Sequence, residues 1–433
     1  MPAKTLHITN SWHETSGGIS TCYKALMRYA NAHARTMRLV VPGEQARSEA
    51  FGEHCRIYYI PALRAKVGDP SYRLMWPWGP TGSAIRKILR EEQPDLVEIS
   101  DKWSLPILGG LLRAGWLDGI RRPALVGTSH ERLHDNMAVY LKAGALGDWM
   151  SRTMLHKYYW LMFDHHVANS PYTAGELLPA AVSHKVHRGL HVLPMGVDTD
   201  GLDPDSRTPG AQAALAERAS LPHGAKLLVY AGRLAHEKNL PLLVDMLEKL
   251  PPDYHLLIAG DGPMREWLQT QGTRRTGGRL HLLGHLNGRA ELAKLHAGAG
   301  AFIHPNPREP FGIAPLEAMA AGVPLVAPST GGVRFYAGTG NAWIADTTPE
   351  AYAQAATAVF ADPVATGARC AAARQTALAH NWPTVAARFF QLWDDILSGV
   401  QIRLPEESPD LVAAHDIPRG PRPGTAWFRL QRG

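Results

Sequence analysis

The stretch 304–327 reads HPNPREPFGIAPLEAMAAGVPLVA and carries the strongest structural signal in this sequence. The apolar run 301–303 before it is typical of a buried strand, and the prolines that follow prevent the strand from continuing. Pro315 suits the first turn of a helix, and the string 322–324, GVP, ends that helix before a second apolar strand, 324–327. The order strand, loop, short helix, strand predicts a parallel crossover, whose ligands bind beyond the carboxyl ends of the strands.

Two glutamates lie on either side of the predicted entry into this helix. Glu309 follows the first strand on a loop, and Glu317 belongs to the first turns of the helix. A carboxylate accepts hydrogen bonds from paired hydroxyls, and the amides of a helix N-terminus favour phosphate, so the pattern suits a sugar diphosphate. Taken singly, each glutamate is more often an ordinary solvated loop residue or helix-end charge.

The whole string resembles the signature of the retaining glycosyltransferases of family four, the glycosyl transferases group 1. Glu309 and Glu317 are separated by seven residues, and the string 310–313, PFGI, directly follows the first. The resemblance implies an α/β fold of GT-B architecture, with two doubly wound Rossmann-like domains facing across a cleft. It also implies transfer of a sugar from a nucleoside diphosphate sugar, with the anomeric configuration kept and without a metal or another cofactor.

Composition bounds the class of protein without selecting a substrate. A chain of 433 residues exceeds one ordinary core, and 45% hydrophobic with 19% charged residues is typical of a globular protein. The net charge of +6 is compatible with nucleotide sugars, anionic acceptors or a membrane surface. The 3 cysteines lack metal or redox spacing, and no stretch reaches the roughly 20 apolar residues of a membrane span. We expect a cytoplasmic protein, associated with the membrane at most on its cytosolic face.

The first half predicts a doubly wound parallel sheet, which in the resembling family binds the acceptor. A glycine pair, Gly17 and Gly18, lies between its first strand and first helix, where two glycines let backbone amides approach a phosphate but often form only a turn. His130 closes another of these strands, and a lone histidine is usually structural. The resemblance implies that Gly17 and Gly18 face the donor diphosphate and that His130 contacts the sugar hydroxyls. The predicted strands are 5–9, 37–41, 57–60, 96–99, 125–128 and 166–168.

The second half predicts strands at 227–230, 255–259 and 280–283. Arg233 and Lys238 flank the loop after the first of these, where two cations can hold a diphosphate, although both also fit a surface turn. The strings 232–234, GRL, and 237–239, EKN, resemble the diphosphate-binding segment of the family. Fixed cations there stabilise the leaving diphosphate in the transition state more than in the ground state.

The backbone amides of Gly312, Ile313 and Ala314 are predicted to hold the diphosphate from the other side. The resemblance also implies that the loop containing Leu286 and Asn287 passes the nucleotide base. A further glycine pair, 331–332, offers amides near the sugar or phosphate.

Two segments of the chain suggest other contacts. Trp76 and Trp78 flank a proline, and we expect buried packing within a loop, with stacking on a sugar or docking at a membrane as alternatives. The aromatic helix 149–163 is expected to pack on its own domain rather than lie on a bilayer. Asp198 and Asp200 imitate the metal-binding pattern of another glycosyltransferase fold, but they lie where a linker is expected, so we predict no metal site there.

These observations predict an acceptor-binding domain at 1–197, a nucleotide-sugar domain at 198–375, a terminal helix that crosses back at 376–400, and a Pro/Arg-rich tail at 401–433. The predicted function is transfer of a hexose, mannose or glucose, from a UDP- or GDP-linked donor. The acceptor stays open between a glycan, a lipid and a small molecule, and no nucleic-acid partner is expected. The alternatives are a nucleotide-sugar epimerase, a phosphorylase, or an inactive sugar-nucleotide-binding scaffold.

Overall fold

The computed structural model describes residues 3–12, 17–65, 72–140, 144–184, 189–222 and 224–399. Two compact units divide the chain. One contains Met1–Gly196 together with the segment that begins at Trp382, and the other contains Val197–Asn381. Ser16, next to the predicted glycine loop, and the predicted tail lie outside the described residues.

The described strands are short and mostly buried. They are β1 (Lys4–Thr9), β2 (Thr36–Gly43), β3 (Arg47–Ala50), β4 (Cys55–Pro61), β5 (Leu63–Arg64), β6 (Arg73–Leu74), β7 (Leu96–Ser100), β8 (Ala124–Ser129), β9 (His165–Ala168), β10 (Leu190–Val192), β11 (Lys226–Ala231), β12 (Tyr254–Ala259), β13 (Leu280–Gly284), β14 (Ala301–Ile303), β15 (Leu325–Pro328) and β16 (Trp343–Ala345). Each predicted strand is present, with ends that differ by at most two residues.

Each unit has its own sheet. The first unit has eight strands in the order β10-β9-β8-β7-β1-β2-β4-β3, and only β3 is antiparallel to its neighbour. The second unit has six parallel strands in the order β13-β12-β11-β14-β15-β16. β5 and β6 form a separate antiparallel pair. Two doubly wound parallel sheets confirm the predicted α/β fold class.

Helices connect the parallel strands. They are α1 (Gly18–Ala32), α2 (Gly79–Glu92), α3 (Pro106–Arg113), α4 (Leu133–Tyr140), α5 (Gly144–Met154), α6 (Trp160–Met162), α7 (Pro171–Ala174), α8 (Leu178–Ser183), α9 (Pro209–Arg218), α10 (Pro241–Lys249), α11 (Arg265–Trp267), α12 (Thr273–Arg275), α13 (Arg289–Gly298), α14 (Ile313–Ala320), α15 (Pro349–Val359), α16 (Pro363–Ala379) and α17 (Trp382–Leu397). A π-helical turn, Leu155–Tyr159, joins α5 to α6.

The terminal helix α17 packs within the first unit. Its apolar stripe, predicted from the sequence, is buried, and the ring of Trp393 lies 4.7 Å from the ring of His7 on β1. Phe390 stacks on Tyr29 of α1 with 5.3 Å between ring centroids. These contacts bury the hydrophobic face that drives docking of an amphipathic helix.

The loop before α2 differs from the expectation. Trp76 and Trp78 are 42% and 54% exposed, so their predicted burial within a loop is wrong. Polar side chains, rather than the indole rings, hold this loop: Thr81 Oγ1 bonds the backbone of Trp76, and Arg86 donates to Pro77 O at 2.9 Å. The two rings contact each other instead, with 5.3 Å between centroids.

The strand order of each sheet reverses at one place. In the second unit β11 lies between β12 and β14, so the chain winds outward in opposite directions from the β11–β14 pair. In such folds a ligand usually binds beyond the carboxyl ends of the strands, at the point where the strand order reverses.

Candidate active site

The loop after β11 carries Arg233 at an exposed position. This loop packs against the segment after β12, because Leu234 N donates to Asp261 O at 2.9 Å. The approach is close enough to require glycine: Gly262 has a φ of 150°, and a Cβ there would lie 2.6 Å from Leu234 O. The string 260–262, GDG, therefore shapes the backbone that presents Arg233.

Lys238 and Glu309 meet at the reversal of the second sheet. Lys238 lies in a 3₁₀ turn after β11, and Glu309 lies on the loop after β14. Their Nζ and Oε2 atoms are 2.8 Å apart. Asn239 fixes the geometry between the two loops, since it ends the turn in a left-handed conformation (φ 54°) and its Nδ2 donates to Pro305 O at 3.0 Å.

Glu309 is buried, with 9% of its surface exposed, and it is held through one oxygen. Oε2 accepts from Lys238 and from Asn306 Nδ2 at 3.1 Å, while Oε1 has no hydrogen-bond partner among the described residues. Burial alone would raise the pKa of Glu309, but the charge of Lys238, then His304 and the two hydrogen bonds outweigh burial and lower it to about 2. Glu309 is therefore an ionised carboxylate with one oxygen available to a ligand hydroxyl.

Gly312 forms the entry into α14. Its φ of 89° favours glycine, and a Cβ there would lie 3.1 Å from Tyr336 Oη, which donates to Gly312 O. Ile313 and Ala314 follow as the first helical residues, whose amides have no acceptor within a helix. This arrangement leaves donors at the helix N-terminus for an anion.

The second glycine pair behaves differently from the prediction. Gly332 N donates to Glu309 O at 2.6 Å, and a Cβ on Gly332 would lie 1.8 Å from Pro310 O. The amide of Gly332 therefore supports the Glu309 loop instead of being offered to a ligand. Close packing of two loop backbones explains this glycine.

Glu317 lies on α14 and is half-buried. Burial raises its pKa to about 7, the charge of Arg289 opposes this rise, and Asp198 adds to it. Arg289 Nη1 lies 2.6 Å from Asp198 Oδ2 and its guanidinium also donates to the backbone oxygens of Asp198 and Asp200. The Asp-Thr-Asp string is thus a turn clamped by arginine. Among the described residues, no group of three or more His, Cys, Asp or Glu side chains is arranged to hold a metal ion.

The first unit carries the other predicted residues. Gly17 precedes α1 with a φ of 105°, Gly18 begins that helix, and both are exposed. His130 follows β8, is 9% exposed, and its Nδ1 has no hydrogen-bond partner among the described residues. Burial lowers the pKa of His130 to about 4 against the opposing charge of Glu98, so the ring is neutral near pH 7.

The remaining predicted residues, Leu286 and Asn287, lie on the loop after β13, where Leu286 is half-buried and Asn287 exposed. In the second unit the structure brings Lys238 and Glu309 into contact and puts Glu317 on the helix that Gly312 begins.

Sequence reasoning missed Asn306, which donates to Glu309, and His304, which lies near it. Both residues belong to the stretch 304–327 quoted above, but its prolines were interpreted only as marks of where the strand ends and the loop begins. The signal for Asn306 is its position three residues before Glu309, a spacing at which a side-chain amide reaches back within one turn.

Two doubly wound parallel sheets, with an acid–cation cluster at the carboxyl ends of one of them, define the GT-B class of glycosyltransferases. The model of glycosyl transferases group 1 matches residues 212–377, and that of glycosyltransferase family 4 matches residues 16–200. The chain belongs to this family. It is an enzyme, a retaining glycosyltransferase with a nucleotide-sugar donor.

Comparison with individual proteins supports the same family. The chain is 28% identical over 391 residues, 89% of its length and 94% of the other, to the GDP-mannose-dependent alpha-(1-6)-phosphatidylinositol dimannoside mannosyltransferase of Mycobacterium tuberculosis. It is 30% identical over 319 residues, 73% of its length and 77% of the other, to a GDP-mannose-dependent alpha-mannosyltransferase of Mycolicibacterium smegmatis. A sucrose-phosphate synthase of Thermosynechococcus elongatus shares the fold, with a TM-score of 0.70, 19% identity, and coverage of 92% of this chain and 100% of that one.

Proposed function

We propose that this chain transfers mannose from GDP-mannose to a lipid acceptor and keeps the anomeric configuration. The observation that carries the donor site is the Lys238–Glu309 ion pair at the reversal of the second sheet. Support for the donor and for the acceptor comes from the two relatives above, both named GDP-mannose-dependent and one acting on a phosphatidylinositol dimannoside.

Arg233 and Lys238 bind the diphosphate in this proposal. Both follow β11, and the amides of Gly312, Ile313 and Ala314 face the same ligand from the start of α14. Charge develops on the diphosphate as its bond to the sugar breaks, and preorganised cations and amides stabilise that charge without reorganisation. They supply what a divalent metal supplies in other glycosyltransferases, and metal independence stays a prediction.

Glu309 and Glu317 read different parts of the donor. Glu309 offers Oε1 to the sugar hydroxyls, close to the carbon where positive charge develops. Glu317 accepts hydrogen bonds from the two ribose hydroxyls. Leu286 and Asn287 contact the base from the loop after β13.

The first unit contributes His130, Gly17 and Gly18. His130 carries a buried ring nitrogen without a partner among the described residues, which is available to a sugar hydroxyl. A Cβ on Gly17 would meet no described residue within 4 Å, and a glycine lets its backbone approach a phosphate closely.

The transfer proceeds on one face of the sugar. The bond between the anomeric carbon and the diphosphate oxygen breaks, the acceptor oxygen forms its bond to the same face, and the leaving oxygen takes the acceptor's proton. No side chain acts as a nucleophile, so the enzyme contributes orientation and charge stabilisation.

Exposed apolar side chains favour a lipid acceptor and contact with a membrane surface. No helix in the described ranges is long and apolar enough to cross a membrane. Large exposed hydrophobic side chains nevertheless concentrate in the first unit, where tryptophans predominate, while the second unit has Val364. Tryptophan suits a membrane interface because one end of its ring is apolar and the other is polar. The first-unit side chains are Leu63, Trp76, Trp78, Trp103, Trp116, Leu146, Trp149, Met150, Leu161 and Val182.

A donor screen tests the proposal. The purified chain is incubated with a phosphatidylinositol mannoside and with GDP-mannose, UDP-glucose or ADP-glucose. The mass of the lipid product is then measured by mass spectrometry. We expect the mass of the lipid to increase by one hexose with GDP-mannose and not with UDP-glucose or ADP-glucose. We also expect GDP to raise the melting temperature of the protein more than UDP or ADP does, because a bound ligand stabilises the folded state by mass action. Transfer from UDP-glucose or ADP-glucose instead would contradict the donor assignment.

A further inference from the structure

His304 has no role in the function proposed above, although it lies beside Glu309. It follows β14 directly, is 4% exposed, and its Nε2 has no hydrogen-bond partner among the described residues. A buried polar atom without a partner destabilises a fold, so its presence next to a ligand site calls for a state in which it is satisfied. Glu309 Oε2 lies 3.9 Å from this nitrogen.

The surroundings of this oxygen explain why the contact is long. Lys238 Nζ and Asn306 Nδ2 already donate to Oε2, at 2.8 and 3.1 Å. Burial lowers the pKa of His304 to about 4, with Glu309 opposing the fall and Lys238 adding to it, so the ring is neutral near pH 7. A neutral imidazole carries one N–H, which can point to Oε2 once that oxygen has a vacant position.

We propose that His304 is a positioning residue that hydrogen-bonds Glu309 when Lys238 leaves this carboxylate for the donor diphosphate. The proposal rests on the function proposed above, in which Lys238 binds the diphosphate. A diphosphate carries more negative charge than one carboxylate, and therefore attracts the ammonium group of Lys238 more strongly. Glu309 then loses its ion-pair partner, and the Nε2–H of His304 replaces it.

The exchange matters because Glu309 must keep its orientation while the donor is bound. Without a second donor at Oε2, the carboxylate would be held by Asn306 alone and could rotate its free Oε1 away from the sugar. His304 therefore does not help to orient Glu309 in the nucleotide-free enzyme, and it does so while the donor is bound. Its loss lowers kcat and also weakens GDP binding, because the diphosphate of GDP draws Lys238 away from Glu309 and leaves this buried carboxylate with one donor fewer.

Three variants test this exchange. His304→Leu removes the donor at similar volume, and His304→Gln restores an N–H near the position of Nε2. His296→Leu is the matched control: His296 is fully buried in the same unit, and neither of its ring nitrogens has a partner among the described residues. Its ring packs near Phe302, with 5.9 Å between ring centroids.

We expect His304→Leu to lower kcat with GDP-mannose by about tenfold to a hundredfold, as for loss of a hydrogen bond to a charged group. The GDP dissociation constant from calorimetry rises by about tenfold for the same reason, and His304→Gln recovers most of kcat and most of the GDP affinity. His296→Leu keeps the wild-type kcat.

A wild-type kcat in His304→Leu, or equal losses in the leucine and glutamine variants, would overturn the proposal while leaving the proposed function intact. Absence of transfer by the wild-type chain with every donor would overturn both. Equal kcat losses in His304→Leu and His296→Leu would show that replacing any buried histidine of this unit lowers kcat. That result would also overturn the proposed role of His304.

Discussion

Lys238 and Glu309 are 71 residues apart in the chain, and their side chains form an ion pair of 2.8 Å. The pairing follows from strand order, because β11 and β14 are neighbours and their loops leave the same edge of the sheet. A lysine and a glutamate joined in this way hold each other ionised within a site that is mostly shielded from water. In the proposed function, the ammonium group of Lys238 binds the diphosphate and the carboxylate of Glu309 binds the sugar hydroxyls.

Arg233→Ala and Lys238→Ala should each lower turnover by about a hundredfold or more, because each removes a charge that stabilises the leaving diphosphate. Steady-state kinetics with GDP-mannose measure the effect. Lys294→Ala is the control, since Lys294 is 71% exposed and, among the described residues, pairs only with Glu291 on its own helix. Turnover at the wild-type rate in either site variant would remove the diphosphate assignment.

The affinity for GDP should depend on pH through Glu317. Burial raises the pKa of Glu317 to about 7, so the carboxylate that accepts the ribose hydrogen bonds is largely protonated at pH 6 and largely ionised at pH 8. A group with a pKa near 7 changes its ionised fraction about tenfold over this interval, so the association constant should fall by about that factor as pH drops.

Calorimetry at several pH values measures this dependence. Glu317→Gln is the control, because it cannot titrate and retains only the smaller dependence that comes from the phosphates of GDP. An identical pH profile in the two proteins would show that Glu317 does not contact the nucleotide.

Gly262→Ala should weaken both stability and activity. The new Cβ would lie 2.6 Å from Leu234 O at a φ of 150°, so the loop that carries Arg233 must shift. We expect a loss of about 2 kcal/mol in the unfolding free energy, together with a lower kcat. Gly340→Ala is the matched control, because a Cβ there would meet nothing within 4 Å. Equal melting temperatures for the two variants would contradict the close packing of the loops.

Membrane contact should depend on the tryptophans before α2. The double variant Trp76→Ser and Trp78→Ser removes two exposed indole rings, and we expect its co-sedimentation with anionic phospholipid vesicles to fall by about tenfold. Trp116→Ser is the control, since Trp116 is 75% exposed but follows the C-terminal end of α3 and is not part of the loop before α2. A similar loss in both proteins would point to general hydrophobicity and not to this loop.

Most of the parallel strands, though not β10 and β16, were predicted from the sequence, since most of them are buried apolar runs. β11 and β14 are examples, and the glycines and prolines around them marked where each strand ends. It missed β3, whose residues RSEA are mostly exposed and polar, because an edge strand needs no hydrophobic face.

The candidate site was predictable in its residue types but not in its contacts. The string around Glu309 indicated a carboxylate on a loop, yet the ion pair with Lys238 depends on strand order. The amide of Gly332 and the ring of His304 depend on backbone packing that no local pattern records. Trp76 and Trp78 were expected to be buried and are exposed, since side chains of Thr81 and Arg86 bond the backbone of their loop.

The assignment of the two carboxylates to different parts of the donor is the central claim, and calorimetry of GDP without sugar tests it most directly. Glu317→Gln should weaken GDP binding, because the ribose contact exists with or without the sugar, and Glu309→Gln should leave GDP binding nearly unchanged while lowering kcat with GDP-mannose. Loss of GDP affinity in Glu309→Gln, with wild-type affinity in Glu317→Gln, would contradict the account.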